Sequence, residues 1–63
     1  MAETLLKVPE VAERLRLSRS LVYELIARNE LRAIRIGRSR RVPESEVERF
    51  VAIRMAEADR AIA

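Results

Sequence analysis

The chain contains no cysteine, no histidine and no tryptophan, a single glycine, and only two aromatic residues, Tyr23 and Phe50. Each absence removes a class of chemistry. Without cysteine there are no disulfides, no thiolate nucleophiles and no zinc fingers; without histidine there is no imidazole base and no imidazole metal ligand. No metal, cofactor or small-molecule ligand is therefore expected. Absence of cysteine also fits a cytoplasmic setting. No apolar run approaches the roughly 20 residues that span a bilayer, and the start, MAETLLKVPE, lacks the basic head and long apolar stretch of a signal peptide. At 63 residues the chain is read as one domain, residues 1–63, with no room for a second core.

What is present is aliphatic side chains and charge. Hydrophobic residues make up 49% of the chain and aromatics only 3%, so a small aliphatic core is expected. The net charge of +3 hides a segregation. Residues 1–13 set Lys7 against Glu3, Glu10 and Glu13, a net of −2. Residues 14–41 set nine arginines against Glu24 and Glu30, a net of +7. Residues 42–63 set Arg49, Arg54 and Arg60 against Glu44, Glu46, Glu48, Glu57 and Asp59, again −2. A basic centre between acidic ends steers a polyanion to one face and leaves acidic surface free for the basic surface of another copy.

The hydrophobic periods give an order of elements. Leu5 and Leu6 read as a short extended entry. Val8, Val11, Ala12 and Leu15 recur at i, i+3, i+4, i+7 and predict a first helix from about Val8 to about Arg16, with Pro9 in its first turn. Leu17-Ser18 is the turn. Ser18 is the expected N-cap of a second helix, Arg19 to about Arg28, with Val22, Leu25 and Ile26 inward and Asn29 ending it in the left-handed region. So short a connection between two helices predicts a helix-turn-helix. From Leu31 the period changes: Ile34 and Ile36 alternate with Arg35, Gly37 sits where a tight hairpin needs positive φ, and Val42 lies on the return strand. Pro43 closes that strand and opens a third helix whose expected inner stripe is Val47, Phe50 and Val51. Its pattern runs on through Met55, Ala58 and Ile62. The core is placed at about 5–52, with 53–63 as a C-terminal helix extension.

In this order the sequence resembles the excisionase-type and MerR-like winged-helix family. The resemblance rests on LLKVPEVAERLRLSRSLVYELIARNEL, the hairpin AIRIGRSRRVP and the acidic helix ESEVERFV, which together cover residues 5 to about 52. Two positions depart from the family pattern: Asn29 stands where glycine is common, and Arg40 where an aromatic is common. The resemblance implies a small α+β fold, a winged helix-turn-helix (α-α-β-β-α) with a two-stranded basic wing and an extended C-terminal helix. It makes SRSLVYELI the recognition helix and IRIGRSRRV the wing. The implied function is sequence-specific binding and bending of double-stranded DNA by an excisionase that promotes integrase-mediated prophage or plasmid excision. The alternative is a small transcriptional regulator of the same family. The implied partners are duplex DNA, a cognate integrase and further copies in tandem, on the nucleoid of a bacterial host.

The candidate DNA contacts are Arg16, Arg19, Ser20, Tyr23, Glu24, Arg28, Arg35, Arg38, Arg40 and Arg41. Five arginines between Arg32 and Arg41 without an acid repel one another, which is a poor way merely to solubilise an edge strand. At or near the wing tip, Arg38 and Arg40 suit phosphates or a narrowed minor groove, and Arg35 and Arg41 suit flanking phosphates. Arg19, Ser20 and Tyr23 occupy the end of the second helix that meets base edges in helix-turn-helix complexes. For several residues two readings stand. Ser18 is first a cap. Tyr23 can instead cover the core edge. Leu21 is either core or a thymine-methyl contact. Glu24 either accepts from a cytosine amine or pairs with Arg28 at i+4. Arg14 and Arg16 either touch phosphate or are plain surface charge, and the stripe Met55, Ala58 and Ile62 is either a helix end or a self-association surface.

Ser20, Tyr23 and the arginines bear a superficial likeness to a recombinase site. A nucleophile needs an activating group and a concave, water-poor site, and a chain this small without histidine offers neither. The sequence is read as non-enzymatic.

Overall fold

A computed structural model describes the backbone of residues 3–62 and the side chains of residues 3–61; the outer limits of the expected domain, 1 and 63, lie outside the described residues. The elements are β1 (Leu5–Leu6), α1 (Val8–Leu15), α2 (Arg19–Ala27), β2 (Ile34–Ile36), β3 (Ser39–Pro43) and α3 (Glu44–Ile62).

Both helices of the pair are bounded by local chemistry. At the start of α1 the Glu10 carboxylate accepts the Lys7 backbone N–H at 2.7 Å, the half of a capping box that needs no acceptor on the Lys7 side chain. Arg16 ends the helix at φ 57, and the Leu17 N–H closes a bond to the Ala12 carbonyl at 2.9 Å. For α2 the Ser18 hydroxyl accepts the Leu21 N–H at 3.1 Å. Asn29, at φ 63, ends the turn that follows, and the Glu30 N–H reaches the Leu25 carbonyl at 2.9 Å. Each helix thus finishes on a left-handed residue that is not glycine, with the carbonyls of its last turn taken up by the Schellman pattern.

The structure has the winged helix-turn-helix with its α-α-β-β-α elements in the expected order, and adds one strand in front of them. Leu5 and Leu6 are not merely an extended entry but a strand, giving β-α-α-β-β-α and a three-stranded antiparallel sheet in the order β1-β3-β2. Leu5 pairs with Pro43 and Leu6 with Val42. Two residues are too few to show a period, so this strand is defined by its partner rather than by its own sequence. The same arm secures α3: the Thr4 carbonyl accepts the Glu44 N–H at 2.9 Å and the Glu3 carboxylate accepts the Ser45 N–H at 2.8 Å. Hydrogen bonds from the Ser45 side chain and backbone hold the Glu3 carboxyl below its ordinary value.

The core is aliphatic, built from Leu6, Val8, Val11, Ala12, Val22, Leu25, Leu31, Val42 and Val47. Leu31 is fully buried although it lies in no element, and periodicity did not mark it. A second correction concerns α3. Val47 is buried and Phe50 half-buried, but Val51 is 37% exposed and every described side chain beyond it is exposed. The inner stripe therefore ends at Phe50, because the body against which α3 packs ends there. The remaining turns stand clear, and Val51, Met55 and Ala58 continue the Val47 line without cover; the Ile62 side chain lies outside the described residues.

Candidate nucleic-acid interface

The wing is a two-residue hairpin in which Ile36 pairs with Ser39 across Gly37-Arg38. Gly37 has φ 62 and Arg38 is not left-handed, the pattern of a type II′ turn, whose first central position favours glycine. Arg35 stands directly opposite Arg40, and Ile34 opposite Arg41. Because side chains alternate along a strand, Arg35 and Arg40 share the face of buried Val42, while Ile34, Ile36, Ser39 and Arg41 share the other. One face of the wing is thus doubly cationic where it passes the edge of the core. The other is mixed, with Ile34 43% and Ile36 53% exposed. The Ile–Arg alternation located the strand, but the inward residue of the hairpin is Val42.

A directly opposed like-charge pair destabilises a sheet by about the 0.2–1 kcal/mol that an opposed ion pair contributes. Nothing offsets it here. Among the described residues no carboxylate lies within ion-pairing distance of Arg16, Arg19, Arg35, Arg38, Arg40 or Arg41. Arg41 has a hydrogen bond of its own, from its guanidinium to the Arg40 carbonyl at 2.8 Å. Arg19, Ser20 and Tyr23 are exposed along the first turns of α2, as is Leu21 at 36%, which sets it outside the core. Tyr23 is half-exposed and lines a concavity of about 370 Å³ together with Lys7, Arg38, Arg40 and Arg41. The fold therefore brings Tyr23 of α2 and the wing arginines Arg38, Arg40 and Arg41 around one basic hollow, while Arg19, Ser20 and Arg35 lie outside its lining.

The other candidates are differently placed. Glu24 and Arg28 form the i+4 ion pair, and Arg28 also reaches Glu30 at 3.3 Å. Glu30 in turn pairs with Arg54, which lies 5.2 Å over the Phe50 ring and reaches Glu57 at 3.3 Å. This chain of charges ties the end of α2 to α3. Arg14 is likewise held, by Glu44 at 2.5 Å. Arg16 is exposed in the turn between the helices, with a backbone role as the left-handed cap of α1. One lining residue escaped the sequence reading: Lys7 enters it only in the charge balance of residues 1–13, yet it is the cation on the α1 side of the hollow. The signal for it was positional, a lone lysine just before the first helix.

A recognition helix with an exposed polar start, flanked by an unneutralised cationic hairpin, defines a winged helix-turn-helix DNA-binding protein. The model of the helix-turn-helix domain family known as HTH_17 matches residues 5–54. An excisionase of Streptomyces ambofaciens is 46% identical over 54 residues, spanning 86% of this chain and 87% of that protein. A probable excisionase of Saccharopolyspora erythraea is 42% identical over 48 residues, covering 76% of this chain and 49% of its own, about half its length. The chain belongs to the excisionase-type helix-turn-helix family. No solved structure matches it. Among the described residues no helix is long and apolar enough to cross a membrane.

Proposed function

We propose that the protein is an excisionase: it binds and bends duplex DNA and thereby directs an integrase toward excision of a prophage or plasmid. It acts by binding and carries out no catalytic step of its own, on the nucleoid of a bacterial host. The single observation that carries the DNA-binding part is the set of cations without an acidic partner among the described residues, Arg19 on α2 with Arg35, Arg38 and Arg40 on the wing. The naming of its relatives carries the rest. Arg19 and Ser20 meet base edges in the major groove; Tyr23, Arg16, Arg35, Arg38, Arg40 and Arg41 meet phosphates or the adjoining minor groove. Glu24 and Arg28 hold each other and orient the helix from its far end.

One module has too small a footprint for strong specificity, so copies bind in tandem. Two surfaces suit a head-to-tail contact. The overhanging part of α3 presents Val51, Met55 and Ala58 beside Glu48 and Asp59, acids without a partner among the described residues. The outer face of the wing presents Ile34 and Ile36 beside Arg41. An acidic apolar stripe on one copy complements a basic apolar face on the next, and such a contact need not close into a ring. The test is a footprint on the DNA around the gene's own locus, with a recombination assay. Cooperative occupation of neighbouring direct repeats and stimulation of excision are expected, and removal of residues 53–63 should leave single-site binding intact while reducing cooperativity. Non-cooperative binding to one inverted repeat, without effect on recombination, would favour a transcriptional regulator.

A further inference from the structure

The hollow between the start of α1, the exposed flank of α2 and the wing has a composition that structure alone does not require. Its lining includes Lys7, Arg38, Arg40 and Arg41 with the half-exposed ring of Tyr23, and no carboxylate. At about 370 Å³ it holds far more than a water, whose share of the liquid is roughly 30 Å³. Lys7 has no ion-pair partner among the described residues, and the nearest acid in sequence, Glu10, uses its carboxylate on the Lys7 backbone N–H. That bond fixes the Lys7 backbone in an extended conformation, φ −78 and ψ 156, so its ammonium swings from a defined point. Arg40 lines the same hollow from the paired strand β3, and Tyr23 lines it from α2.

We propose that this hollow is a phosphodiester cradle, in which Lys7, Tyr23 and Arg40 grip one phosphate of the duplex backbone from three separate elements. The proposal rests on the DNA-binding reading and adds to it a particular site and a new contact residue, Lys7. The side-chain chemistry is complementary. A guanidinium presents a planar fork to two phosphate oxygens, an ammonium adds a compact charge, and a phenol donates one hydrogen bond against an apolar ring wall. Arg38, in the turn itself, remains available for the next phosphate. Because the three groups belong to α1, α2 and the wing, one phosphate sets the angle between recognition helix and wing on the duplex. That is a register contact, blind to base sequence.

The test uses the full chain and duplex DNA of two unrelated sequences, comparing wild type with Lys7→Gln, Arg40→Gln, their double variant and Lys7→Arg. Losing one neutralised phosphate should flatten log K against log[salt] by about 0.9 and weaken binding roughly eightfold at about 0.1 M salt. Lys7→Gln should do this equally on both sequences, and Lys7→Arg should bind like wild type. The double variant should lose little more than either single one, since a shared phosphate is released only once. The Lys7 side chain makes no cap bond, so thermal melts of Lys7→Gln should match wild type and exclude unfolding as the cause. A Lys7→Gln protein with unchanged slope would overturn the cradle while leaving DNA binding intact; wild type that binds neither duplex would overturn the DNA-binding reading itself. Inorganic phosphate added alone should not saturate the amide signals of Lys7 and Tyr23. Saturation at low millimolar phosphate would reassign the site to a free anion.

Discussion

Two groups of arginines in this protein have opposite fates. On the side where α2 meets α3, Arg28 and Arg54 are bound into a continuous chain with Glu24, Glu30 and Glu57, and Arg49 reaches Glu46 at 3.6 Å. On the side of the recognition helix and wing, Arg19, Arg35, Arg38 and Arg40 have no acid near them among the described residues, and Arg35 faces Arg40 across a ladder. The same side chain therefore serves two purposes. Paired arginines join elements with a modest gain, since exposed ion pairs contribute about 0–1 kcal/mol each. Unpaired ones carry a small folding cost that only a polyanion offsets. The division between them runs through the molecule, not along the sequence, because Arg28 lies within the basic segment 14–41 and still belongs to the paired group.

The comparison breaks most decisively at the wing. Arg38→Ala combined with Arg40→Ala should weaken binding to every duplex about 100-fold at roughly 0.1 M salt and flatten the salt slope by about two units. Filter binding or anisotropy across a salt series reads both. An unchanged slope would mean that the unpaired group does not meet phosphate. Arg19→Ala and Ser20→Ala should act otherwise, narrowing the gap between cognate and unrelated DNA by about 1–3 kcal/mol wherever a base contact is lost. Equal losses on both DNAs would remove α2 from the bases.

The paired group should respond in stability instead. Arg54→Ala should lower folding free energy by no more than about 1 kcal/mol, seen in a urea or thermal melt, with the salt slope of DNA binding unaltered. A changed slope would mean that Arg54 reaches DNA. The smallest effect should come from Glu3, whose carboxyl is held below its ordinary value of 4.5 by Ser45. A lowered folded value means that the stabilisation is complete above the ordinary value and is lost as pH falls through the folded one. Wild type and Glu3→Gln should therefore differ in melting temperature at neutral pH and converge in acid. A difference that persists below pH 3 would exclude the carboxylate as its source.

What was legible in the sequence follows from how local each cause is. The ends of α1 and α2 are set by Pro9, Ser18 and Asn29 within a few residues, and the wing turn by Gly37 alone, so their placement could be read from spacing. The strand β1 could not, because Leu5 and Leu6 acquire their strand character from Pro43 and Val42 at the far end of the chain. Leu31 escaped for a related reason: it enters the core from a loop and belongs to no period. Among the candidate contacts, the basic segment was plain, but which arginines are free was not. The partners that decide this are remote, Glu44 for Arg14 and Glu30 for Arg54. Lys7 joins the hollow only because the hairpin folds back toward α1.

The overhang of α3 gives the protein an internal gradient of persistence. The helix has 19 residues, about 28 Å at 1.5 Å per residue, and burial ends near Phe50. Beyond that point its amide hydrogens are guarded by intrahelical bonds and short-range pairs such as Arg54–Glu57, with no packing behind them. A segment of three turns is close to marginal by itself in water. Its deuterium uptake is therefore governed by end-fraying that costs almost nothing, whereas Val22 and Val47 must wait for global opening. Whatever settles on those last turns converts a rapidly exchanging segment into a slow one, and the length newly protected measures the footprint of the partner.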